Sequence, residues 1–222
     1  MIVLAFDTAT VACSAAVWRD GTVLALQHRL MVRGQSEALL PMIRDVLAKA
    51  GLAVADLDRL AVTVGPGSFT GIRVGLAAAQ GLALALALPC VGITNLEALA
   101  ASTSVDERAE ADLILVTIDS KRGDIFAQLF DRALCPMGEP WAAGLEATAR
   151  AIPAGQLIVV GDAAKAVVTA LRALGRNARL GDGGGAADPA VVAAVAAGRP
   201  SPGALPPRPL YLRSADTTAP DR

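Results

Sequence analysis

The sequence predicts an α/β protein made of two successive sheet-and-helix units, the second shortened. Three observations predict it. Buried apolar runs and helical stretches alternate in a fixed order up to residue 101. A polar, charged seam follows at Ser102 to Ala111. A new apolar run, Leu115 to Asp119, then ends in an acid as the first run does, and the order restarts.

Each element has its own signal. Ile2 to Phe6 is a continuous apolar run ending at Asp7-Thr8, which reads as a buried strand. Cys13 to Trp18 is a second strand, and the Asp-Gly pair in Arg19-Asp20-Gly21-Thr22 turns it into a third at Val23 to Leu30. From Ser36 to Ala50 the apolar residues fall at helical spacing, with Gly51 as a stop. Leu60 to Val64 is a strand that runs into Gly65-Pro66-Gly67-Ser68-Phe69-Thr70-Gly71, and a second helix follows to Leu88. Cys90 to Ile93 is a strand and Asn95 to Ala101 a short helix. Beyond the seam, Leu113 to Ile118 and Ile125 to Phe130 pair around Arg122-Gly123-Asp124. Leu157 to Val160 is a strand, Ala163 to Leu174 a helix, Gly181 to Gly185 a loop and Pro189 to Ala197 a helix. Arg199 to Pro209 is proline-rich and extended, and the tail after Arg213 frays. The order strand, strand, strand, helix, strand, helix resembles an RNase H-like half. Two such halves make the actin-like architecture, here 1–104 and 105–222.

Composition narrows the function. The 222 residues are 54% hydrophobic and only 3% aromatic, so Ala, Val and Leu supply the packing. Twenty Lys and Arg against 21 Asp and Glu leave a net charge of −1. Such a chain has no basic footprint for holding a nucleic acid alone, so a partner must bring most of that charge. Three cysteines, Cys13, Cys90 and Cys135, form no disulfide framework or metal pattern. The N-terminus has no basic region and reaches Asp7 too early for a signal peptide. The longest apolar stretch, Val74 to Leu88, falls short of the about 20 residues of a spanning helix. A cytoplasmic protein without membrane contact is the expectation.

Two segments could carry chemistry. Asp7-Thr8-Ala9-Thr10 at a strand end could hold a phosphate, but serves equally as a turn bonding its own backbone. Gly65, Gly67, Ser68 and Thr70 stand between a strand and a helix N-terminus, where backbone N–H groups receive anions. A tight strand-to-helix turn is the competing reading, since the string is neither a Walker A loop nor G-x-G-x-x-G. Gly71, Gly75 and Ala79 recur every four residues, a spacing that lets another backbone come close. A helix so uniformly apolar is buried nearly all round, inside the domain or against a partner. The single histidine, His28, lies in a strand, and no Cys/His pair or His-x-x-x-His is present, so no catalytic or metal-ligating residue is assigned.

The strings IVLAFDTAT (2–10), Ala12-Cys13-Ser14, Leu40-Pro41, GPGSFTGIRVG (65–75), Gln80-Gly81-Leu82-Ala83 and Tyr211-Leu212-Arg213 resemble the bacterial TsaB (YeaZ) family. The resemblance is close over residues 1 to about 100 and looser beyond. It implies a subunit of the machinery that makes N6-threonylcarbamoyladenosine next to the anticodon of ANN-reading tRNAs. The implied partners are a metal-binding TsaD-type transferase, a TsaE-type ATPase and, through the complex, tRNA. Such subunits pair through the two N-terminal helices, with themselves or with the transferase. On that basis Leu39, Leu40, Ile43, Leu47, Gly71, Arg73, Gly75 and Ala79 are the expected interface. Asn95 and Leu99 stand where the transferase relatives carry two metal-binding histidines, which implies a pseudoenzyme. Gln35 departs from the His of many members. No cofactor is expected on the isolated chain, with ATP or ADP possible in the complex. The alternative is an actin-like phosphotransferase or ATPase acting on a small molecule.

Overall fold

The computed structural model describes residues 1–200 and 206–213. Part of the proline-rich segment (201–205) and the tail (214–222), expected to be extended and frayed, lie outside the described residues.

The first half opens with β1 (Ile2–Asp7), β2 (Ala12–Arg19) and β3 (Thr22–Leu30). Asp20 and Gly21 both take positive φ, which gives the tight β2–β3 turn its twist. There follow α1 (Gln35–Ala50), β4 (Arg59–Thr63), α2 (Phe69–Leu86), β5 (Cys90–Ile93) and α3 (Asn95–Ala101). Gly51 closes α1 in the left-handed region, as its position predicts. The strands form one sheet in the order β3-β2-β1-β4-β5, with β4 and β5 parallel to β1.

The polar seam holds a short helix the sequence reading left out, α4 (Val105–Ala109), started by a capping box between Ser104 and Glu107. The second half is β6 (Leu113–Asp119), β7 (Ile125–Asp131), β8 (Trp141–Ala143), α5 (Leu145–Ala151), β9 (Leu157–Val160), α6 (Ala164–Ala173) and β10 (Ala178–Leu180). Its sheet runs β8-β7-β6-β9-β10, the same order as the first. The shortening is largest at one edge, where β8 has three residues against nine in β3. β8, α5 and β10 are too short to leave a periodic signal.

Packing crosses the chain division. The last helix, α7 (Pro189–Ala197), lies on the first sheet. Its Val192, Ala193 and Ala196 pack with Val3, Ala5, Ala61, Val91 and Ile93. Buried Arg59 of β4 fixes its end by donating to the carbonyls of Ala196 (2.5 Å) and Arg199 (2.8 Å). α3 bridges the halves: Leu96, Leu99 and Ala100 join the second sheet's cluster, while Ala98 joins the cluster under α7.

Candidate functional site

The expected phosphate residues separate into two groups. Asp7 is fully buried, and donors of its own chain surround its carboxylate. The Ala9 amide and the Thr63 hydroxyl donate to Oδ1, and the Thr10 hydroxyl to Oδ2 at 2.5 Å. Burial raises its pKa, against the lowering by these bonds. Thr8 is buried and its hydroxyl donates to the Gly71 carbonyl at 2.7 Å. Gly65, at φ +104°, lies against the Leu210 carbonyl. These three build the turn. Thr10, Gly67, Ser68 and Thr70 do line open space.

That space is a cleft of about 530 Å³ between the halves. One wall is the first half's turn from Ala9 to Val11 and its loop from Pro66 to Thr70. The other is the β6–β7 turn from Asp119 to Arg122, with Asp162. Ser68 caps α2 by accepting the Gly71 amide at 3.2 Å, so the positive end of that helix points into the cleft. Across the cleft the Lys121 ammonium bridges Asp119 (3.1 Å) and Asp162 (3.0 Å). The Lys121 backbone amide, its ammonium and its charge hold Asp119 below the usual carboxylate range, and the bond to Asp162 leads in raising Lys121. Arg213 pairs with Asp124 at 2.9 Å.

The expected interface residues are corrected in orientation. Leu39, Ile43 and Leu47 of α1 are buried in the core with Leu4, Phe6 and Val62. Gly71, Gly75 and Ala79 of α2 also face inward. A Cβ on Gly71 would collide with the Thr8 carbonyl, and one on Gly75 would come within 2.8 Å of the Thr8 hydroxyl. The small residues therefore serve a close approach inside the chain. Of the eight, Leu40 and Arg73 are exposed. Arg73 lies over the Phe69 ring, 3.7 Å from its centroid, and its Nε donates to the Tyr211 hydroxyl at 3.3 Å.

The opposite side of α2 is bare. Ala77, Gln80, Gly81, Leu84 and Ala85 are exposed, and a Cβ on Gly81 would meet nothing within 4 Å. This is the single helix among the described residues long and apolar enough to cross a membrane, yet only 28% of it is buried. Its other face packs on the first half's core with Val62. Ala77, Gly81 and Ala85 form a second small-residue stripe at the same spacing, which the sequence reading missed because both stripes look alike until one is packed.

Other positions resolve plainly. Cys13 and Cys90 are buried, which pushes their thiols up to about 11 and about 12, so neither is a nucleophile at neutral pH. His28 is exposed on the edge strand β3. Asn95 is buried; its amide donates to the Pro66 carbonyl at 3.0 Å, and its backbone N–H donates to the Gly65 carbonyl at 2.8 Å. Leu99 is core. Asn95 thus positions the glycine loop from the next helix, a role that sequence spacing does not reveal.

The comparisons follow this geometry. A family model described as "TsaD: tRNA N6-adenosine threonylcarbamoyltransferase" matches residues 29–134. The chain is 41% identical over 132 residues to the tRNA threonylcarbamoyladenosine biosynthesis protein TsaB of Escherichia coli, covering 60% of this chain and 56% of that protein. It is 32% identical over 130 residues to the TsaB of Bacillus subtilis, covering 59% and 55%. The chain thus spans about half the length of the curated relatives it matches. Among solved structures, YeaZ from Pseudomonas aeruginosa superposes with a TM-score of 0.73 at 26% identity, over 88% of this chain and 90% of that one. A Thermus thermophilus ROK hexokinase shares the fold, with a TM-score of 0.52 at 15% identity over 88% and 98%.

Proposed function

We propose, from its similarity to TsaB (YeaZ) proteins, that this chain is a non-catalytic docking subunit in N6-threonylcarbamoyladenosine formation on tRNA. The observation that carries the docking role is the bare apolar face of α2. Ala77, Gly81 and Ala85 would let a partner helix approach backbone to backbone, and Leu40, Leu84 and Val74 would flank the contact. Covering that face would remove Leu84, 86% exposed, from water.

The partner would be a TsaD-type transferase, with a second copy of this chain taking the same face in its absence. Three points support a supporting role over a catalytic one: Asp7 is committed to structural hydrogen bonds, both buried thiols are protonated, and the Lys121 ammonium is shared between Asp119 and Asp162. The near-zero net charge fits a subunit that meets tRNA through its complex, with a TsaE-type ATPase as a further member. Any ATP or ADP would bind within that assembly.

Light-scattering mass across a dilution series, alone and with the transferase subunit, tests the reading. A homodimer that exchanges into a heterodimer is the expected result. Gly81→Arg should leave the fold intact, since the position is open, and abolish both associations. A monomer indifferent to the transferase would overturn the proposal.

A further inference from the structure

The Tyr211-Leu212-Arg213 string has no part in the docking face, yet it is tied to both halves of the molecule. On the first half, the Leu210 amide donates to the Val64 carbonyl at 2.8 Å. Two glycines make room for the segment. A Cβ on Gly65 would come within 2.7 Å of the Leu210 carbonyl, and one on Gly92 within 2.9 Å of Pro207. Leu210 packs on the first half's core. Tyr211 stacks on Phe69, ring centroids 5.1 Å apart, at the start of α2. On the second half, Leu212 packs on the cluster that contains Ile118 and Phe126. Arg213 then closes on Asp124 in the β6–β7 turn, with both side chains about one-third exposed.

We propose that the segment Pro206–Arg213 is a clasp that sets how far the two halves open around the cleft. α3 joins the halves outside the cleft lining, while Leu210 to Arg213 line the cleft itself. The two ends of the clasp differ in strength. The first-half end is built from a backbone hydrogen bond, a close approach of Gly65 to the Leu210 carbonyl and one of Gly92 to the rigid Pro207 ring. The second-half end rests on one half-buried leucine and one part-exposed ion pair, which salt screens. Release therefore happens at the Leu212 and Arg213 end, with Leu210 as the fixed point. The cleft's ammonium is already shared by two carboxylates, and the Arg213 guanidinium already holds Asp124. The width of the cleft, set by the clasp, then governs what can enter.

Pulsed electron paramagnetic resonance on the full chain tests this. Cys135 is exposed on the second half, while Cys13 and Cys90 are buried and protonated, so one spin label attaches at Cys135. Arg19→Cys supplies a second, exposed label site on the first half. Doubly labelled protein diluted into unlabelled protein reports distances within one chain, whatever its oligomeric state. The expected result is a narrow distribution that broadens toward longer distances in Arg213→Asp, in Leu212→Ser and in the unmutated chain at 1 M salt. The exchanged pair Arg213→Asp with Asp124→Arg should restore the narrow distribution. Variants that keep a native circular dichroism spectrum and an unchanged distance distribution would overturn the clasp. Failure of the exchanged pair to restore it would do the same.

Discussion

Two glycines of one helix make opposite predictions. Gly71 faces the Thr8 carbonyl, and backbone cannot give way to a methyl group. Gly71→Ala should lose about 1–3 kcal/mol, the usual cost of overpacking a filled site. Within the chain Gly81 faces open space, so Gly81→Ala should gain about 0.5–1 kcal/mol from helix propensity in protein dilute enough to be monomeric. Urea melts of both variants check the pair, and a similar loss in each would mean that the outer face is packed in solution. Asp7 gives the pH-dependent case. Burial raises its pKa, so the folded state holds the proton more tightly than the unfolded chain. That contribution is complete below the unfolded value near 3.8 and is lost as pH rises through the native pKa. Asp7→Asn, which carries no charge, should therefore be more stable than the natural chain at pH 7. The gap should close as the pH falls toward 4. A gap independent of pH would refute the assignment.

At the scale of elements, α7 is the piece whose position chain order does not announce. It follows the second half yet covers the first sheet, and Arg59 holds its end through the carbonyls of Ala196 and, just beyond it, Arg199. Arg199 reinforces the join by donating to the Gly92 carbonyl at 3.0 Å and pairing with Glu97. Hydrogen bonds from a buried cation contribute about 1.5–3 kcal/mol each, so Arg59→Ala should destabilise by at least about 2 kcal/mol. Hydrogen exchange should show the amides of 192–197 opening before those of 113–119. Simultaneous opening of both segments would mean that α7 is not a separable cover.

At the scale of the molecule, two sheets of the same strand order face a shared cleft, and one helix carries an uncovered apolar side. Loss of both associations in Gly81→Arg, with a native circular dichroism spectrum, is the outcome that ties assembly to that side. The repeat was legible from the two acid-ended strands, Ile2–Asp7 and Leu113–Asp119. The boundaries of α1, β5 and α3 were legible because Gly51, Pro89 and the Thr94 cap punctuate them locally. The strands β8 and β10 were not, because three residues cannot establish a period.

Local chemistry sets whatever depends on neighbours in sequence. Continuous apolar runs, the Asp20-Gly21 turn and the glycine stop of α1 therefore set the longer elements and their order. Facing is a different matter. Gly71, Gly75 and Ala79 carry the same spacing as Ala77, Gly81 and Ala85, and only the approach of Thr8 and Val62 decides which stripe is inside. Asp7 could have met a ligand, and the arrival of Thr63 from a strand 56 residues away completes the set of donors that Ala9 and Thr10 begin. The same holds for the clasp, whose meaning depends on Asp124 lying beside Arg213 after both halves have closed. Burial and close contact are properties of the assembled chain, since residues far apart in sequence create them together.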